Sequence, residues 1–130
     1  MNYEDKDLTT AIDLKTRKTV AKWPSSCGED GPHGLSIDQD TGFLFVACSS
    51  KAEVLDAGHD GKQLSSIDTG DGVDDLNFSP STKTLYVGAA KDAKLTVARV
   101  DGAGKLSLSR KCPPTRALAM VWLYRMASFT

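Results

Sequence analysis

An internal echo at a shift of 41 residues, short strands that are apolar on both faces, and polar Gly- and Asp-bearing turns in place of any helical stripe predict an all-β fold. The architecture they imply is a partial β-propeller built of four-stranded antiparallel blades. GLSIDQDTGFLFVAC, starting at Gly34, lies in register with DLNFSPSTKTLYVGA, starting at Asp75. Leu35 meets Leu76, Ile37 meets Phe78, Thr41 meets Thr82, Leu44 meets Leu85, and Val46 meets Val87. Farther on, VLDAGHDGKQLSSID resembles VARVDGAGKLSLSR, each a strand, an Asp, a Gly-bearing turn and a second strand. AIDLKTRKTVAKW, over 11–23, fits that second half again.

The elements follow in order. One blade reads as strands near 34–37, 43–47, 53–56 and 63–67, and the next as strands near 75–78, 84–88, 94–100 and 106–109. The turns DQDTG, SSK, AGHDGK, SPSTK and DGAGK supply the residues that tight turns require. FLFVA is apolar on both faces and TLYVG nearly so, and a strand of that kind must be covered on both sides. Stacked blades of about 40–45 residues do this. A β-sandwich also uses many short strands but leaves the echo as coincidence. The chain is read as one domain over 1–130, with the outer strands of blade one at 2–26, blade two at 31–68, blade three at 72–110 and an atypical tail at 115–130.

Two and a half to three blades do not close a ring, which typically needs at least four. The open flanks call for cover by oligomerisation, with a dimer favoured: two copies would complete a ring of about six blades, and a domain-swapped or face-packed dimer fits equally. In RALAMVWLYRMASFT, Leu118 is placed to start another strand, followed by MVWLY, before the register is lost. The alternative is that residues 115–130 are non-native sequence from truncation or frame shift.

Composition bounds the function. The 130 residues are 40% hydrophobic and 25% charged with net charge −1, which describes an ordinary globular protein. That balance gives no basis for a nucleic-acid partner, and no apolar run is long enough for membrane insertion. The segment MNYEDKDLTT lacks the basic and apolar regions of a secretion signal, so the chain as it stands is expected in the cytoplasm. Cys27, Cys48 and Cys112 are odd in number and not at metal-ligand spacing. Neither a disulfide framework nor a zinc site is indicated, while a single bridge stays open.

The segments NYEDKDLTTAIDLKTRK, GPHGLSID, LFVAC and IDTGDGVD carry a family resemblance. The chain resembles the YVTN-type repeat propellers, the YncE-like family, over roughly residues 2–115, as a fragment of about three blades. Matching positions are Asn2, Asp5 and Lys6, then Ala11 to Lys18, Pro32 to Asp38, Leu44 to Cys48 and Ile67 to Asp74. The resemblance implies a repeat type rather than an activity. It also implies a periplasmic or secreted setting for longer members.

His33 and Asp74 stand two residues before the equivalent Leu35 and Leu76, in the loops that enter the innermost strands. With Asp75 they are the candidate ligand-binding residues, placed together by repetition around one axis. For His33 the competing role is to satisfy loop backbone groups. Asp74 and Asp75, being adjacent, point to opposite faces of a strand and make a poor catalytic pair. The run DTGDGVDD raises calcium or another divalent metal, although its spacing is not that of an EF-hand and Gly70 and Gly72 suit a tight crossing between blades. No cofactor is otherwise indicated.

His59 is expected as a solvated turn residue, Cys48 as a small buried hydrophobe, and Cys27 as a loop-borne thiol open to reaction. Lys6, Lys15, Arg17 and Lys18 read as a wetted face, and Trp23 and Trp122 as packing groups between blades or subunits. No catalytic residue is assigned. The favoured function is a non-catalytic binding or scaffold module for a protein, peptide or small molecule. Two alternatives stand beside it: a metal-assisted, lactonase-like hydrolase remnant using His33 and Asp74, and a fragment with no evolved activity.

Overall fold

The computed structural model describes residues 1–112, with the side chains of residues 1–109. The expectations for Leu118, Trp122 and the tail at 115–130, and for the Cys112 side chain, lie outside them. Among these described residues eleven strands form three separate antiparallel sheets. The first holds β1 (Asn2–Tyr3), β2 (Leu8–Asp13) and β3 (Lys18–Pro24). The second runs β4 (Leu35–Asp38), β5 (Phe43–Ala47), β6 (Lys51–Asp56) and β7 (Lys62–Asp68) in sequence order. The third runs β8 (Val73–Ser79), β9 (Thr84–Ala89), β10 (Lys94–Val100) and β11 (Leu106–Cys112). Among the described residues no sheet pairs with another through strand ladders, so they form an unclosed row of propeller blades.

Period-2 alternation explains the stacking. Phe43, Phe45 and Ala47 of β5 join Val73, Leu76, Phe78, Leu85 and Val87 in one core between the second and third sheets. Leu44 and Val46 of the same strand face the other way and join Trp23 and Leu55 against the first sheet. Phe45 is fully buried and stacks on Phe78 with ring centroids 4.5 Å apart. Burial of one such side chain contributes roughly 1.5–3 kcal/mol.

The repeat is visible in its irregularities. A β-bulge interrupts the pairing of the last two strands of every sheet, between Ala11 and Ile12, between Val54 and Leu55, and between Val97 and Ala98. Each outer turn starts on an aspartate whose carboxylate accepts from the backbone: Asp13 from Lys15 N, Asp56 from Gly58 N, and Asp101 from Ala103 N. The four-residue turns between the first two strands of the second and third sheets also match each other. Gly42 O accepts from Ala57 N and Lys83 O accepts from Val100 N, bracing the end of the third strand in each sheet.

Neighbouring sheets lock where outer strands cross the next turn. Trp23 of β3 covers Gly61, and its Nε1 donates to Asp60 Oδ1 at 3.2 Å. Leu64 of β7 covers Gly104, while Ser65 Oγ donates to Gly104 O at 2.6 Å and accepts from Leu106 N at 3.1 Å. Trp23 is thus an inter-blade packing group. Gly70 and Gly72 form the tight crossing expected of them, Gly70 against Ala89 and Gly72 against Lys91.

Three local features differ from the sequence expectation. Asn2–Tyr3 adds a third strand to the first sheet, because the 3-10 turn at Glu4–Lys6 folds it back onto β2. The third strand of the second sheet begins at Lys51 rather than Glu53. Cys27 and Cys48 are joined in a disulfide with Cα atoms 5.1 Å apart. Cys27 is therefore not an open thiol. Cys48 is buried as expected, but as half of a cross-link between the loop after β3 and the end of β5.

Candidate functional site

Antiparallel order fixes which loops meet. In the second and third sheets the turn between the second and third strands, and in the first sheet the turn between β1 and β2, lies at the same end as the link that follows the last strand. At that end Thr69 N donates to Ser50 O at 2.9 Å, and Asp71 N to Asp92 Oδ2 at 2.8 Å. His33, Asp74 and Asp75 belong to this loop end.

His33 is held from both sides. Its N–H donates to Ala47 O at 2.8 Å, and Ala47 N donates to Gly34 O at 2.9 Å, which extends the β4–β5 ladder past β4. Asn2 Nδ2 donates to the carbonyls of His33 and Gly34, and Thr9 Oγ1 fixes the amide by donating to Asn2 Oδ1 at 2.7 Å. The imidazole itself meets side chains rather than loop backbone groups. Nε2 lies 3.2 Å from Ser49 Oγ and Nδ1 3.4 Å from Glu4 Oε1. The His33 side chain is 22% exposed and that of Glu4 64%.

Gly34 joins this loop to the next one. A Cβ there would stand 2.8 Å from Asp75 Cα and 3.0 Å from Asp74 O, so only hydrogen lets the two inner strands approach this closely. The entry loops of β4 and β8 are thereby side by side. Asp74 and Asp75 are both exposed, and Asp75 Oδ1 accepts from Leu76 N at 2.8 Å. The ring contacts of His33 go to Glu4 and Ser49 rather than to either aspartate.

A second cluster lies one turn away. Glu53 has no exposed surface, yet it carries a carboxylate. Lys51 Nζ stands 3.0 Å from Oε1, Ser26 N donates to Oε2 at 3.2 Å, and Ser26 Oγ donates to Oε1. Asp7 anchors the same loop, accepting from Cys27 N at 3.1 Å and Gly28 N at 3.0 Å. Among the described residues, Cys27, Cys48 and Glu53 form a group whose ligand atoms all lie within 4.8 Å of one another. The carboxylates of 68–75 form no such three-membered group among those residues; Asp71 instead lies 3.7 Å from Lys91.

Sequence reasoning missed Ser49, Glu4 and Glu53. The first two reach His33 from other loops. Glu53 sits in an alternating strand where a carboxylate reads as solvent-facing. Its signal was its place two residues after Lys51, next to an apolar run.

The opposite end of the blades has its own polar contacts. Lys83 Nζ donates to Asp38 Oδ2 at 2.9 Å, and Asp38 is 2% exposed. Burial is the largest influence on Asp38 and pushes its carboxyl up. Hydrogen bonds from Lys83, Thr41 and the Asp40 backbone, with the Lys83 charge, outweigh it and hold the group below its ordinary value near 3.8. A cleft of about 580 Å³ beside Lys83 is lined by Ser81, Thr82, Arg99 and Ser107. His59, in an outer turn with its side chain 78% exposed, contacts Asp56 Oδ2 at 2.6 Å. Among the described residues no helix is long and apolar enough to cross a membrane.

No family model and no curated protein sequence matches the chain. Solved structures do. Hydrazine synthase from Kuenenia stuttgartiensis is 20% identical with a TM-score of 0.68, over 81% of this chain and 30% of that one. A dihydro-heme d1 dehydrogenase in complex with DHE is 21% identical with a TM-score of 0.71, over 90% and 24% of the two chains. A β-propeller domain from Myceliophteria thermophila is 19% identical with a TM-score of 0.65, over 84% and 39%. The chain thus spans well under half the length of these relatives, and the likeness concerns fold alone. The open row of three sheets is a partial β-propeller.

Proposed function

We propose that the chain is a non-catalytic binding module whose loop end takes a cationic partner, a basic peptide segment fitting best. The observation that carries this reading is charge. Glu4, Asp5, Asp71, Asp74, Asp75 and Asp92 are exposed in or beside the loops gathered at that end, with Lys6, Lys91 and Lys94 as the exposed bases among them. Such an excess steers a partner of opposite sign. His33, braced by Asn2, Ser49 and Glu4, is a fixed polar group beside it. Titration with a Lys-rich peptide, followed by calorimetry, tests the proposal. Binding that weakens with salt and falls several-fold in Asp74→Asn supports it. Equal binding of an acidic peptide, or no effect of Asp74→Asn with Asp75→Asn, overturns it.

A second reading, a hydrolase at the same end, is favoured by one observation: Ser49, His33 and Glu4 touch in the order nucleophile, base, acid. Covalent labelling of Ser49 by a fluorophosphonate, lost in His33→Ala, would select it over the binding module.

The finer lineage is proposed as the YVTN-type repeat, supported by the 41-residue echo and the matching motif positions. Self-association is proposed for the first sheet, whose Leu14 and Val20 are 88% and 65% exposed. The disulfide supports an oxidising compartment.

A further inference from the structure

We propose that reduction of the Cys27–Cys48 disulfide opens a buried site for a thiophilic divalent cation, with Glu53 as the third ligand and zinc as the ion that fits. The two sulfurs and a Glu53 oxygen already lie within 4.8 Å of one another. Two thiolates and a carboxylate, with a water in the fourth position, make a tetrahedral zinc donor set. Cys48 and Glu53 have no exposed surface, so the site is enclosed on the protein side.

The loop that carries Cys27 is also held by contacts other than the disulfide. Asp7 accepts from Cys27 N and Gly28 N, Asp7 O accepts from Ser25 N, and Ser26 donates twice to Glu53. The cysteine side chains therefore stay near each other once the bond is cut. Ser26 also orients the Glu53 carboxylate by donating to both of its oxygens, as outer-shell donors do for metal ligands. Lys51, the present counter-charge of Glu53, has a side chain 26% exposed and can turn to solvent when a cation takes its place.

The chemistry balances with a dithiol reductant. One of its thiolates attacks the sulfur of Cys27, the half-buried partner, and Cys48 leaves as a thiolate. The second thiol then closes on the mixed disulfide and releases Cys27. Two electrons end on the protein sulfurs and the reductant leaves as its own disulfide. Cation binding displaces the remaining thiol protons to solvent. In the oxidised chain the sulfurs are bonded to each other and the site is closed. This site lies beside the acidic loop end and does not depend on ligand binding there.

The test uses the full chain carrying Cys112→Ser, so that no other thiol contributes. It is reduced with a phosphine, which becomes its oxide and offers no thiolate of its own, and titrated with Co²⁺. One equivalent is expected to bind with a thiolate-to-cobalt charge-transfer band, which zinc abolishes by displacement and which the oxidised chain lacks. Glu53→Gln is expected to weaken binding by roughly tenfold or more, at least what loss of an outer-shell partner brings. A reduced chain that keeps its sheet circular-dichroism signal without a thiolate band overturns the proposal. So does Glu53→Gln binding as tightly as the parent, or a reduced chain that loses its sheet signal and does not regain it with zinc.

Discussion

Replacing Gly61 with alanine probes the lock between the first and second sheets. Gly61 has φ +69, a left-handed backbone that costs a residue with a Cβ about 1–2 kcal/mol. Its new Cβ would also stand 2.1 Å from Cγ of Trp23, 2.4 Å from Cδ1 and 2.5 Å from Cδ2. Those are ring atoms near the root of a side chain that is only 7% exposed, so the indole must move bodily. Overpacking of that kind adds roughly 1–3 kcal/mol. Gly61→Ala should therefore destabilise the protein by roughly 2–5 kcal/mol in all, while Trp23→Ala should cost roughly 3–5 kcal/mol. In the Trp23→Ala background the clash is gone, and Gly61→Ala should cost only the backbone part, about 1–2 kcal/mol. Urea unfolding followed by circular dichroism measures the four corners of this cycle. Effects that add to within about 0.5 kcal/mol would refute the reasoning, because they would mean that the glycine serves its turn and not the tryptophan.

Two further outcomes follow from contacts at other points. Asp38 is held below its ordinary value near 3.8, so the stability it contributes is present above that value and is lost as pH falls through its lower folded value. Lys83 is held above 10.5, chiefly by its hydrogen bond to Asp38 against a partial loss of hydration, so its share is present below 10.5 and is lost as pH rises through the folded value. Lys83→Met should shrink the stability lost on acidification below about pH 4, read from urea midpoints against pH. The Cys27–Cys48 bridge closes a separation of 21 residues, and its removal in Cys27→Ala with Cys48→Ala should cost about 3 kcal/mol, read as a lowered thermal midpoint.

The strand layout was legible because two independent signals coincided in the chain. FLFVA carries apolar residues at every position, which demands cover on both faces, and Asp13, Asp56 and Asp101 mark where outer turns begin. Asn2–Tyr3 was not legible: two residues hold no period, and their pairing depends on the fold-back at Glu4–Lys6. The disulfide was equally hidden, since three cysteines allow several pairings and only the approach of the loop to the end of β5 selects one. At the site, repetition placed His33 and Asp74 in corresponding loops. It was silent on Ser49, Glu4 and Glu53, because their partners come from other turns and differ from blade to blade.

The bulges at Ala11, Val54 and Val97 fall 43 residues apart each time, although the inner strands repeat at 41. A bulge bends its strand and increases the local right-handed twist. A local twist is therefore written into every copy, on its outer rim. A substitution that flattened one bulge would reduce the twist along the outer edge of its own blade and leave the ladders of the other two sheets unchanged.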